Sequence, residues 1–214
     1  MKIDVVCSDP NHPVMPYLNE WRQAPGNQVH EIQMVHDVNV VTGGDIMFLV
    51  SCSQMVGEVI KKQYRHCLVL HASDLPRGRG WSPYIWNILQ GDSELTVCVL
   101  EASLPVDSGD VWLRKHFPLQ GHELLPEIHA LLFAAEISLM DEVIARLPDI
   151  RPVQQDASKA STYPRRTPED SRLDPDKSIA EQFDLLRVVD TERFPAFFEF
   201  RGQRYKLTIK KDNE

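Results

Sequence analysis

Positive charge is in short supply: 23 Lys and Arg stand against 31 Asp and Glu, leaving −8 with histidine neutral. A nucleic-acid partner, whose phosphates call for clustered cations, is not expected from that balance. Cysteine is sparse as well. Cys7, Cys52, Cys67 and Cys98 show no CxxC spacing, which argues against a disulfide or zinc framework, and no metal site is expected. Each lies in or beside an apolar, strand-like segment, where a thiol behaves as a small buried hydrophobe. The four are read as reduced, and the chain as cytoplasmic. No apolar run approaches the roughly 18 residues of a membrane-spanning helix, so no membrane partner is expected. Met1-Lys2-Ile3-Asp4-Val5-Val6 enters a strand-like pattern at once, unlike a signal peptide. Glycine is also scarce, 10 against 15 prolines, which predicts stiff loops and sharp boundaries.

What is present is a globular balance, 43% hydrophobic and 25% charged over 214 residues, enough for one well-buried domain with a small appendage. Ile3–Cys7 reads as a first strand, followed by a turn at Ser8-Asp9-Pro10-Asn11 and a helix over Val14–Arg22. Val29–Val35 reads as a second strand. After Gly43-Gly44, Asp45–Ser51 is a near-continuous apolar run that suits a strand covered on both faces. Met55–Lys62 reads as a helix and Cys67–Leu70 as a buried strand. Ser82–Leu89 reads as a helix with Ser82 as N-cap and Pro83 in its first turn. Thr96–Leu100 is a fifth strand, and Asp110–Phe117 extends the sheet. Leu125, Ile128, Leu132, Ala135, Leu139 and Val143 recur at helical steps, with Leu131 and Phe133 widening the stripe. They predict a long helix from Leu125-Pro126 to just before Pro148, on which His129 is a flank residue rather than a ligand. The alternation implies an α/β fold with a three-layer, open, mostly parallel sheet over residues 1–150.

Residues 151–214 read as a linker followed by a C-terminal helix and hairpin packed on the core. Arg151–Ser161 is expected to be mobile. A helix over Pro175–Val188 would be capped by Asp174, and Phe197–Leu207 forms a hairpin turning at Gly202. Phe197, Phe198 and Phe200 either pack on the parent domain or serve a homodimer interface.

The chemistry-bearing stretch is Leu70-His71-Ala72-Ser73-Asp74-Leu75-Pro76-Arg77-Gly78-Arg79-Gly80-Trp81-Ser82-Pro83. His71 follows a buried strand, at the edge where α/β sheets place ligands. Asp107-Ser108-Gly109-Asp110 follows another. If the two strands are adjacent and parallel, His71 and Asp107 meet. A carboxylate beside an imidazole fixes its tautomer and favours proton transfer. Read from the residues alone, both also fit purely structural roles.

The run His71-x-Ser73-x-Leu75-Pro76 with Arg79-Gly80 resembles the H-x-S-x-L-P…R-G signature of folate-dependent formyltransferases. Trp86, Ile88, Gly91 and Asp92 continue the likeness, and Asp107-Ser108-Gly109-Asp110 resembles the family's D-T-G-D. Tyr163-Pro164-Arg165-Arg166-Thr167-Pro168-Glu169-Asp170 resembles a downstream segment of the sugar and methionyl-tRNA branches. The likeness spans roughly residues 45 to 175, and the Gly78–Pro83 version looks most like sugar N-formyltransferases of surface-glycan pathways. It implies a Rossmann-like core, N10-formyltetrahydrofolate as formyl donor and a nucleotide-linked amino sugar as acceptor. It further implies His71 and Asp107 as catalytic, with the pterin against Val50, Ser51, Cys52, Ser53 and the loop before Asp107. Ser73, Arg77, Gly78 and Arg79 are the candidate substrate-binding residues. Arg77 and Arg79 suit phosphates or folate glutamates, although Arg79 equally suits bracing its loop.

One position departs from the family's N-x-H-x-S: Val69 stands where the family has Asn. That Asn would donate to the formyl oxygen, and loss of one such donor costs roughly two to three orders of magnitude in turnover. Asn87, on the following helix, either reaches the site in its place or packs the helix. Two alternatives stay open: a phosphoribosylglycinamide-type enzyme, and a non-catalytic relative that binds folate or a nucleotide sugar. The tRNA branch is disfavoured by the acidic charge and by a length that leaves no room for a second basic domain.

Overall fold

The apolar segments assemble into one six-stranded sheet in the computed structural model, which describes residues 1–212. In chain order the elements are β1 (Lys2–Val6), α1 (Met15–Gln23), β2 (Glu31–Val35), β3 (Gly44–Leu49), α2 (Glu58–Lys61), β4 (Tyr64–His71), β5 (Arg79–Gly80), α3 (Pro83–Leu89), β6 (Glu94–Glu101), β7 (Val111–Pro118), α4 (Leu125–Arg146), β8 (Thr162–Tyr163), α5 (Phe183–Arg187), β9 (Ala196–Phe200) and β10 (Gln203–Leu207). The sheet order is β2-β1-β3-β4-β6-β7. Pairings from β2 through β4 are parallel, whereas β6 runs antiparallel to β4, and β7 to β6. The expected mostly parallel sheet is there: β2, β1, β3 and β4 make its parallel half, and in the remaining wing β7 runs with them while β6 alone runs against them. The reason lies in α3, whose seven residues rise only about 10 Å. That is too short to carry the chain back to the far edge of the sheet, so β6 enters where β4 leaves.

Side chains alternate across the strands. Ile3, Val5, Ile46, Phe48, Leu68, Leu70, Val97 and Val99 pack with α1, α3 and α4 in the main core. Met47, Leu49, Cys67 and Val69 point the other way, toward Val38 and Ile60, and Cys98 and Leu100 toward Leu75 and Val111. The long helix buries Ile128, Leu132, Phe133, Ala135, Leu139 and Val143 as its spacing requires, while Leu131 is exposed. Among the described residues no helix is long and apolar enough to cross a membrane. All four cysteines are free. Burial pushes the Cys7 and Cys98 thiols up to about 11 and Cys67 to about 12, so they pack as protonated apolar groups.

Three local expectations change. The helix expected over 55–62 shrinks to Glu58–Lys61, which buries none of its residues and so gains nothing by extending. The helix expected over 175–188 is confined to a 3-10 turn at Ala180–Gln182 and α5. Asp174 accepts the Asp176 N–H instead of capping, and the Gln182 amide donates to the carbonyls of Asp174, Lys177 and Ser178, closing a loop. Ser82 precedes α3 in the left-handed region (φ +46) and makes no capping bond with its side chain. The tail hairpin turns at Arg201-Gly202, both at positive φ. Its Phe197 is buried among Leu173, Leu186 and Val189, while Phe200 stays exposed.

Candidate active site

His71 ends β4, the last strand of the parallel half. Its side chain shares a sheet face with Val69 and Cys67, away from α4. Beyond it the chain turns sharply: the Ser73 N–H donates to the His71 carbonyl, and the Ser73 hydroxyl to the Arg77 carbonyl at 2.9 Å. Leu75 plugs the turn into the core at 1% exposure. Gly78 (φ +72) and Gly80 (φ +95) have no room for a side chain, since a Cβ at Gly80 would lie 2.5 Å from the Tyr163 carbonyl oxygen. The turn can therefore press its backbone against the imidazole. The His71 Nε2–H donates to the Gly78 carbonyl at 2.9 Å. A carbonyl only accepts, so Nε2 carries the proton and Nδ1 faces elsewhere.

What Nδ1 faces is Asp107, whose Oδ1 lies 3.7 Å away. The strands leading to the two residues are antiparallel, not parallel as the simplest convergence would need. The meeting is made by the loop from Ala102 to Asp110, which folds back over the sheet face. Gly109 allows this, because a Cβ there would stand 1.9 Å from the Glu101 carbonyl oxygen. Asp107 sits in the left-handed region at φ +59, and its Oδ2 accepts the Gly80 N–H at 2.9 Å. Both side chains are covered, His71 at 7% exposure and Asp107 at 9%. The imidazole is clamped between a carbonyl on Nε2 and a carboxylate beside Nδ1, an arrangement able to hold a proton at either nitrogen.

The other candidate residues divide into two groups. Leu49 pairs with Val69, so the segment Val50–Ser53, two residues on, reaches the level of His71 at the same sheet edge. Ser51 and Ser53 are exposed there, and the Ser53 N–H donates to the Ser8 hydroxyl. Leu104 and Val106, in the loop that carries Asp107, are exposed at 71% and 51%. Arg79 braces its loop: its guanidinium donates to the Gln155 side-chain oxygen at 2.7 Å. Arg77 is exposed. Val69 is packed among apolar neighbours on both sides. Asn87 does not reach the site, because its amide donates to Asp92 at 2.8 Å and pins the turn after α3. A cavity of about 750 Å³ elsewhere is lined by Tyr17, His129, Phe133, Arg187 and Lys211. There His129 shares a hydrogen bond with the Tyr84 hydroxyl, and burial lowers its pKa to about 4.

Sequence reasoning missed three participants: the Gly80 N–H on Asp107, Ser161 and Gln155. The stretch 151–161, expected to be mobile, is tied down along its length. Val153 pairs with Val111, Ser161 accepts the Gly78 N–H and donates its own N–H to the Pro76 carbonyl, and β8 pairs with β5. A run of Gln, Asp, Ser and Lys carries no periodicity that could announce this.

The profile of the formyl transferase family matches residues 7–144. A methionyl-tRNA formyltransferase of Ruegeria pomeroyi is 30% identical over 177 residues, 80% of this chain and 57% of that protein. The chain spans about half the length of the curated relatives it matches. Two solved structures share the fold. HypX from Aquifex aeolicus in complex with tetrahydrofolic acid has a TM-score of 0.79 at 19% identity, over 98% of this chain and 37% of that one. A sugar N-formyltransferase from Shewanella has a TM-score of 0.74 at 14% identity, over 99% and 98% of the two chains.

Proposed function

The chain belongs to the formyl transferase family, and from that premise we propose that it moves a formyl group from N10-formyltetrahydrofolate to the amine of a nucleotide-linked amino sugar. The observation that carries the reading is the approach of His71 Nδ1 to Asp107 Oδ1, 3.7 Å, at the C-terminal edge of the parallel strands. The folate supplies an activated formyl carbon. The acceptor amine forms the new C–N bond and gives up one proton, and N10 of the departing folate gains one.

The chain's own residues manage that proton and the charge on the formyl oxygen. His71 takes the amine proton at Nδ1, where the Asp107 carboxylate stands beside it. The Nε2–H stays on the Gly78 carbonyl, so the imidazolium formed at Nδ1 sets a positive charge beside the formyl oxygen as it becomes an oxyanion. Exposed Leu104, Val106 and the strand-end Ser51 and Ser53 offer apolar cover and polar backbone to a flat heterocycle. The acidic charge of −8 favours a small acceptor over a polyanionic RNA. The tRNA acceptor is the second reading, because methionyl-tRNA formyltransferases are among the curated relatives.

The test presents the purified chain with N10-formyltetrahydrofolate and, in separate reactions, nucleotide-linked amino sugars, phosphoribosylglycinamide and methionyl-tRNA, with the formylated products weighed by mass spectrometry. The expected result is formylation of an amino sugar, with turnover falling on the acid side as the amine protonates. His71→Ala should lower it by about 10²–10⁴-fold. Formylation of none of these, or full turnover without His71, overturns the reading.

A further inference from the structure

We infer that Gln155 is a positioning residue for Asp107, holding the backbone that follows its carboxylate and locking that turn to the Arg79 loop. The inference rests on the role proposed above for Asp107. Gln155 Nε2 donates to the Asp107 carbonyl at 2.9 Å and to the Gly109 carbonyl at 2.7 Å, while its Oε1 accepts from Arg79 at 2.7 Å. Two acceptors on one side and a guanidinium donor on the other fix the amide in a single orientation.

The turn needs such a restraint. A non-glycine residue in the left-handed region keeps that conformation only where its surroundings hold it, and Asp107 is at φ +59. Its carboxylate is held from the opposite side by the Gly80 N–H, one residue past Arg79. Gln155, Arg79, Gly80 and Asp107 thus close a ring of contacts around the carboxylate. The pairing of Val153 with Val111 and of β8 with β5 delivers Gln155 to its place in that ring. Displacing the Asp107 backbone by an ångström would carry its carboxylate away from Nδ1, a distance error that costs on the order of a hundredfold in a positioned proton transfer.

Two substitutions separate seating Asp107 from merely fastening the 153–163 strap. Gln155→Ala loses both functions. Gln155→Glu keeps an acceptor for Arg79, now as an ion pair, but has no N–H for the two carbonyls. The readout is hydrogen exchange of the Gly80 amide, followed by NMR, with Asp107→Ala as the reference for an unseated carboxylate. It needs no formyl transfer. Both Gln155 variants are expected to speed Gly80 exchange about tenfold, the scale of one hydrogen bond, with β3 and β4 amides unchanged. In the transfer assay both should lose about tenfold in kcat with the donor KM held within about twofold. If Gln155→Glu matches the unchanged chain in exchange and kcat, Gln155 only fastens the strap and the inference falls. Unaltered Gly80 exchange in Gln155→Ala also overturns it. If no amine is formylated by any form of the chain, the proposed activity fails, and Gly80 exchange still decides whether Gln155 seats Asp107.

Discussion

The two faces of the sheet are held by different physics. On one, α1, α3 and the 22-residue α4 bury a continuous set of aliphatic side chains, and burial at roughly 25 cal/mol per Å² makes that face the main source of stability. On the other, a four-residue helix and two loops lie over smaller apolar clusters. There the placement of His71 and Asp107 depends on individual hydrogen bonds and on glycines that admit no Cβ. A packed helical face tolerates small losses in many places, whereas a loop-built face fails at single atoms. The contrast leaves His71 and Asp107 on the face whose covering is held bond by bond rather than by broad packing.

Gly109→Ala puts the largest strain on that contrast. A methyl 1.9 Å from the Glu101 carbonyl oxygen must displace the Asp107 turn. Turnover is expected to fall about a hundredfold with the strand amides of β1 and β3 still protected from exchange. Loss of that protection would mean the site face carries as much of the fold as the helical one.

The helical face has its own weak point. Glu136 on α4 is 4% exposed, and its Oε2 has no hydrogen-bond partner. Burial lifts its pKa from 4.5 to about 8, so the folded chain keeps a proton that the unfolded chain has already released. Its stabilising contribution is complete below about pH 4.5 and is lost as pH rises toward 8. The unchanged chain should therefore lose on the order of 4 kcal/mol relative to Glu136→Gln across that window, read from melts at several pH values. Parallel pH profiles for the two chains would place the carboxyl in a wetter site than the packing shows.

The smallest effect is expected at Val69→Asn. The amide enters an apolar setting between Leu49 and Leu100, at a cost of about 1–3 kcal/mol, and turnover should move by less than about threefold. A gain of tenfold or more would reveal a site lacking only the donor whose loss costs that much.

Much of the molecule was legible because its signals are local. The apolar runs of β1, β3, β4 and β6, the stripe of α4 and the hairpin turn at Gly202 all appear where the residue pattern puts them. Residue type and motif single out His71 and Asp107, and the two side chains meet. The direction of β6 was not legible, because it depends on how far a short helix can carry the chain. Asn87 looks available to the site from its place in the sequence, yet a carboxylate five residues away holds its amide. Gln155 was lost in a polar stretch without periodicity.

The sequence by itself determined the apolar skeleton and the reactive residue types, since burial and backbone propensity act between neighbours a few positions apart. Only the tertiary structure decided which way the wing strands run, that the imidazole lies covered by the Gly78 carbonyl, and that a glutamine 48 residues from Asp107 holds its backbone. Those contacts join segments distant along the chain, and a hydrogen bond between them leaves no mark on the composition of either.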